Sequence, residues 1–338
     1  MLNCKVFGIM KSFIYQLTYV ALALLLAACD KSVELPKGSS PEIMLSADVV
    51  SMDRTRATEA NVYTGTSTAG MEATVWFSRR CGVYEDNGTP TAPTFLPFRA
   101  NIKYDSGNPT TVYVNPENKS QALTYPINDP VNNNVYCVGL YPQSGWSSAD
   151  GTSATHPIDG SVDLMFADQI VGSWEAPFTT QQYKHLLTWV KFEAEASDIK
   201  AIDDWGAVTK VTVVSSNGVT ITFPATDGGE STIAYSALTA DIDALGGSTM
   251  PLSINLQSLG SLLCAPSSTM KLKIATENVA EKEIEVALKD ENGNLITSAE
   301  QTAGKLFIIN IYFNKFNHIE ASCNLVPWNE QNVDLGGE

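Results

Sequence analysis

Residues 26–57 read LAACDKSVELPKGSSPEIMLSADVVSMDRTRA. At their centre Ile43, Leu45, Ala47 and Val49 alternate with Glu42, Met44, Ser46 and Asp48. That two-residue period belongs to a strand with one buried face. Upstream, Leu26-Ala27-Ala28-Cys29 closes an apolar run with small residues and a cysteine. Downstream, Asp53-Arg54-Thr55-Arg56-Ala57 sets a basic pair in a polar stretch. A protease cutting after Arg56 would leave the 43–49 strand with no covalent tie to the fold it packs on; Arg54 offers a second basic position.

Residues 1–29 have the layout of an export signal and stand apart from the fold. Lys5 and Lys11 precede an apolar run from Phe13 to Ala28, which is short for a membrane span. Met10 is a second credible start. The ending Leu-Ala-Ala-Cys looks like a bacterial lipobox with Cys29 as the lipidated residue, so acyl chains would hold the exported chain to a membrane. Asp30 directly follows that cysteine, an acidic residue where some bacteria read an inner-membrane retention signal. Residues 30–42 are polar with Pro and Gly and read as a tether, so 30–56 forms a tether plus a removable first strand.

The 338-residue chain carries 21 Lys and Arg against 37 Asp and Glu, a net charge of −16. No basic stripe survives that balance, which excludes nucleic acid as an expected partner. Short strand candidates recur between turn signals: Val75–Phe77, Asn101–Tyr104, Thr111–Val114, Ala122–Tyr125, Val135–Tyr141 and Val162–Phe166. Later ones are Met270–Thr276, Glu283–Leu288, Leu306–Phe313 and Ile319–Val326. Asn217-Gly218 between Val208–Ser216 and Val219–Pro224 predicts a tight hairpin, and Asn292-Gly293 a second turn. Thr179–Leu187 and Ala237–Leu245 are the two places where a short helix fits. Many short strands and few helices predict an all-β chain of two tandem β-sandwich domains, 57–180 and 181–338.

Catalytic and metal signatures do not surface. His156, His185 and His318 lack ligand or triad neighbours at diagnostic spacing, and His185 is expected to be a packed structural histidine. Asp203-Asp204 and Asp290-Glu291 fall at turns, as solvated acids do. Trp76, Trp146, Trp174, Trp205 and Trp328 fit core and rim positions, or a sugar platform. The expectation is therefore a non-enzyme without metal or cofactor. Cys81, Cys137, Cys264 and Cys323 remain after Cys4 and Cys29 are set aside. They allow three full pairings or buried thiols, and the sequence does not choose. A Cys264–Cys323 bridge would pin the last strand to its own domain.

These motifs, in order, resemble the fimbrillins, the Bacteroidales lipoprotein pilins of type V pili. Tyr125-Pro126 and Tyr141-Pro142 are similar to that family's Tyr-Pro positions. Asp163-Leu164-Met165-Phe166-Ala167 resembles its Asp-Leu-x-aromatic-Ala strand, and Tyr183-Lys184-His185-Leu186-Leu187 its Phe-x-His-Leu-Leu segment. Gly304-Lys305-Leu306-Phe307 resembles its late Gly-Lys-x-Tyr strand with Phe for Tyr, and Val326-Pro327-Trp328 its closing tryptophan. The resemblance implies transthyretin-like, Greek-key sandwiches, lipidation at Cys29, export to the outer membrane and cleavage between Arg56 and Ala57 by an arginine-specific protease. It further implies polymerisation at the cell surface by donor-strand exchange with other copies or other pilus subunits. The tail is the expected donor, through Ile319, Leu325, Val326, Trp328, Val333 and Leu335. Alternatives are a surface glycan-binding lipoprotein, or an anchor- or tip-like subunit that keeps its first strand.

Overall fold

The computed structural model describes residues 41–50, 68, 70–78, 98–105, 108–115, 117, 119, 121–127, 133–315 and 318–326. Strands dominate them. The first half holds β1 (Met44–Leu45), β2 (Ala47–Val49), β3 (Glu72–Ser78), β4 (Phe98–Lys103) and β5 (Thr110–Thr111). It continues with β6 (Val135–Tyr141), β7 (Ser153–Pro157), β8 (Met165–Gly172) and β9 (Gln181–His185). The second half starts with β10 (Thr188–Ala196) and helix α1 (Ile199–Trp205). It goes on through β11 (Val208–Ser216), β12 (Gly218–Thr222), β13 (Thr232–Tyr235), β14 (Thr239–Asp243) and β15 (Gln257–Cys264). It ends with β16 (Thr269–Thr276), β17 (Lys282–Ala287), β18 (Leu306–Asn314) and β19 (His318–Val326).

Two four-stranded sheets, β15-β10-β18-β19 and β14-β11-β16-β17, make a sandwich in the second half. Their inner faces interlock Val190, Phe192, Phe307, Ile309 and Ile311 with Val211, Val213, Leu272 and Ile274, all essentially buried. β10 and β18 run parallel, and the other pairs in both sheets are antiparallel. A six-stranded sheet, β2-β9-β8-β6-β3-β4, forms the frame of the first half. One of its faces, with Ala73, Val75, Phe77 and Cys137, builds a core shared with Ile43 to Val49. The other face, with Trp76, Val138 and Leu140, joins the core that continues into the second half. The architecture is all-β sandwich, as the strand pattern predicts.

Several local expectations are corrected. Thr179–Leu187 is extended: Gln181, Tyr183 and His185 point inward and Gln182 and Lys184 outward in β9, because two neighbouring strands take up its backbone. Ala237–Leu245 is likewise no helix. Its residues 239–243 complete the edge of a sheet on β11, where β-branched Thr239 and Ile242 are favoured. Asn217-Gly218 does not close a hairpin, since β11 and β12 leave for different sheets. Gly218 serves close approach instead: a Cβ there would lie 3.3 Å from the His156 carbonyl oxygen. The Asn292-Gly293 turn is present, with Gly293 at φ +80° and Gly293 N–H donating to the Asp290 carbonyl. The short helix α1 sits where no helix was expected, capped by the Asp198 carboxylate on Ala201 N–H and ended by Gly206.

Among the described residues Cys137, Cys264 and Cys323 are buried free thiols. Cys264 on β15 and Cys323 on β19 occupy opposite edges of a four-stranded sheet. Three strand spacings, roughly 14 Å, exceed what a disulfide spans, so that bridge does not form. Cys81 lies outside the described residues.

Candidate functional site

The sequence pattern around residue 45 acquires its meaning from where the strand sits. Ile43 and Leu45 are fully buried, and Ala47 and Val49 are each 5% exposed. Glu42, Met44 and Asp48 face outward. The first half of the segment lies across the open end of a hairpin. Ile43 N–H donates to the Leu123 carbonyl at 2.7 Å, and Val112 N–H donates to the Ile43 carbonyl at 3.0 Å. Tyr125 N–H reaches the Pro41 carbonyl at 2.9 Å, and β1 pairs with β5 through Met44 and Thr111. The second half turns onto the large sheet, where β2 runs parallel to β9 with Ala47 opposite Gln181 and Val49 opposite Tyr183.

β2 is the terminal strand of that sheet. On its far side the Thr68 hydroxyl donates to the Ala47 carbonyl at 2.7 Å. Ser46 and Thr180 share a hydroxyl pair at 2.9 Å. Withdrawing residues 41–50 therefore breaks a ladder on β9 and the contacts to the hairpin, and leaves every other pair of the sheet in place. What it leaves behind is a groove with an open β9 edge, the kind of edge that recruits another strand.

The groove has a fixed floor. Tyr104 Oη donates to Gln181 Oε1 at 2.5 Å and lies 3.1 Å from Tyr183 Oη, while Gln181 Nε2 contacts Cys137 Sγ at 3.4 Å. None of these bonds uses residues 41–50. Gly139 is required beside them, because a Cβ there would fall 2.1 Å from Tyr183 Oη. Burial is the main force raising the pKa of all three acids: Tyr104, Tyr183 and the Cys137 thiol stand well above their ordinary values. The floor is uncharged, which suits the apolar side chains laid on it. This cluster has no local trace in the sequence, since Tyr104 and Cys137 are 33 positions apart and Cys137 and Gln181 are 44 apart.

Of the other expected site residues, Ile319, Leu325 and Val326 are half-buried and already paired within their own chain. β19 is bonded to β18 along nine positions, from His318 opposite Asn314 to Val326 opposite Leu306. Cys29, Arg54, Arg56, Ala57, Trp328, Val333 and Leu335 lie outside the described residues. His185 is the structural histidine expected of it, with Nδ1 2.8 Å from Asp163 Oδ2 and both side chains buried. Among the described residues no group of three or more His, Cys, Asp or Glu could hold a metal ion.

No family model matches the chain, and no curated protein does either. Solved structures do. A candidate cell adhesion protein of Bacteroides uniformis is similar at 15% identity and a TM-score of 0.47, covering 87% of this chain and all of that one. A candidate polysaccharide-binding protein of Bacteroides thetaiotaomicron shares 8% identity at a TM-score of 0.44, covering 85% of this chain and 98% of its own. A fimbrial assembly protein of Parabacteroides distasonis shares 10% identity at a TM-score of 0.38, covering 85% and 100%.

Proposed function

We propose that this protein is a structural pilus subunit. It is exported as a lipoprotein through Cys29, cut after an arginine between Val50 and Thr68, and polymerised by exchange of its first strand for a segment of another copy. Its place is the outer membrane before cleavage and the fimbrium after it, where it serves adhesion, the activity for which similar solved structures are named. One observation carries the reading. The strand that precedes Arg54 and Arg56 is a buried yet terminal strand, and a cut in the connecting segment leaves it held by non-covalent contacts alone. Burial of Ile43, Leu45 and Val49 is worth about 1.5–3 kcal/mol each, a large share of the roughly 5–15 kcal/mol of a domain. A subunit that has lost this strand gains by filling the groove.

The β18–β19 ladder favours a donor that lies beyond it. Taking Ile319, Leu325 and Val326 out of β19 would dismantle nine cross-strand pairs, so the exchanging segment is the one beyond Val326, with Trp328, Val333 and Leu335 as its apolar anchors. Donor and groove are different surfaces, so the contact is head-to-tail and propagates. No enzymatic step and no cofactor belongs to this function.

The test is the Arg54→Ala, Arg56→Ala double substitution in the producing cell. The expected product is a lipidated monomer without filaments. Detergent-resistant oligomer ladders from that variant would reject the reading.

A further inference from the structure

The groove under residues 41–50 is not uniform along its length. Ile43 and Leu45 fill two sites completely, and Ala47 fills a third with a single methyl. That third site is small because of what stands beside it. Ala47 lies opposite Gln181 in the parallel β2–β9 register. Gln181 is itself fully buried, held by Tyr104 Oη and Cys137 Sγ. A longer side chain at position 47 meets that clamped amide, and overfilling a packed core forces its neighbours out of their rotamers. The groove therefore reads large, large, small, at a spacing of two residues. Along its β9 side the bonding is parallel: Gln181 N–H donates to the Ser46 carbonyl at 2.9 Å, and Val50 N–H to the Tyr183 carbonyl at 2.8 Å.

Beyond Val326 the sequence reads PWNEQNVDLGGE. Val333, Leu335 and Gly337 repeat the order of Ile43, Leu45 and Ala47, at the same spacing and in the same chain direction. Setting Val333 on the Ile43 site puts Asn332 and Asp334 on the outward positions of Glu42 and Met44. It also brings the Gly336 carbonyl to the Gln181 N–H that bonds Ser46. Trp328 then falls ahead of Pro41, where the described groove begins. Other registers that fill all three sites, in either direction, bury an Asn, Gln, Asp or Glu side chain. The exception is a reversed strand, which forces Val333 against Gln181 and leaves only Gly337 for the large Ile43 site.

From this match we infer that the groove selects its incoming strand by size, taking Val333, Leu335 and Gly337 of a second copy in the places of Ile43, Leu45 and Ala47. The inference rests on the strand exchange proposed above and adds its register. Val333 and Leu335 restore the apolar burial lost with the first strand. Gly337 is the residue on which selection turns. Glycine leaves the Gln181 amide where it is, whereas a branched side chain has to displace it and break its bonds to Tyr104 and Cys137.

The experiment pairs cysteines across the joint between subunits, in filaments from the producing cell. Met44 faces Thr111 in the β1–β5 ladder, and next to them Val112 N–H bonds the Ile43 carbonyl. A facing pair without a bond of its own has its Cα atoms about 4.5 Å apart, within disulfide range. The register puts Asp334 in the place of Met44. Thr111→Cys with Asp334→Cys should therefore give covalent ladders that survive boiling in detergent and vanish on reduction. Thr111→Cys with Asn332→Cys, or with Gly336→Cys, samples registers shifted by two residues and should link at least tenfold less. A shifted pair that links equally well would overturn the inference. Gly337→Leu should be cleaved yet yield at least tenfold less filament than Gly337→Ala, and equal yields would overturn it too. Neither failure touches strand exchange itself, which is judged separately: filaments unaffected by removal of residues 327–338 reject the tail as donor, whatever its register.

Discussion

Leu45 is fully buried on the groove floor and belongs to a segment ten residues long, so its methyl groups bear on stability and on exchange together. Leu45→Ala is expected to lower the stability of the uncleaved chain by about 2–5 kcal/mol, read by denaturant unfolding. A loss below about 0.5 kcal/mol would mean the strand contributes little to the fold. At the other side of the same sheet, Asp163→Ala strips His185 of its carboxylate. Breaking a buried pair of this kind costs about 3–5 kcal/mol, again read by unfolding, and a neutral result would contradict the structural role given to His185. Residue patterns told these two sites apart from noise to different degrees. The alternation at Ile43, Leu45, Ala47 and Val49 is local and was legible. The meeting of Trp76 with Arg99, or of Gln181 with Cys137, depends on strand register across 23 and 44 positions and has no local trace.

As an element, the 41–50 strand differs from its neighbours in being terminal, and that distinction yields a direct readout. Cys137 belongs to the floor on which the strand rests, and burial raises its pKa well above that of an ordinary thiol. The uncleaved chain should therefore leave Cys137 inert toward a thiol reagent, since the thiolate is the reactive form. After proteolysis and loss of the strand it should label, and assembly should protect it again. Labelling unchanged by cleavage would show that the floor never opens. Other elements show why helix and strand are hard to separate locally. Residues 179–187 and 237–245 each carry spacing compatible with a turn or two of helix, yet both are strands because a sheet edge stood ready for their backbone. Asn217-Gly218 has the composition of a turn, but its glycine answers to the closeness of β7. The helix at 199–205 had readable caps in Asp198 and Gly206; it was hidden by being only two turns long.

For the whole molecule, the two edges of the six-stranded sheet are β2 and β4. In the proposed assembly the β2 edge is where one subunit exchanges with the next, and β4 closes the opposite side of the six-stranded sheet. Removal of residues 327–338 should permit cleavage and stop assembly, as seen by electron microscopy of the cell surface; normal filaments from that truncation would move the donor elsewhere in the chain. The all-β class was legible because strand patterning repeats along the whole length. The sharing of one core between Trp76 and Cys323 was not, because it arises from sheet faces meeting and leaves no periodicity of its own. The most direct test of the central claim is the intact mass of subunits taken from assembled filaments. A chain beginning at Ala57, or at Thr55 if Arg54 is cut, with no peptide containing residues 43–49 retained, is the predicted result. Filaments whose subunits still carry that strand would contradict it.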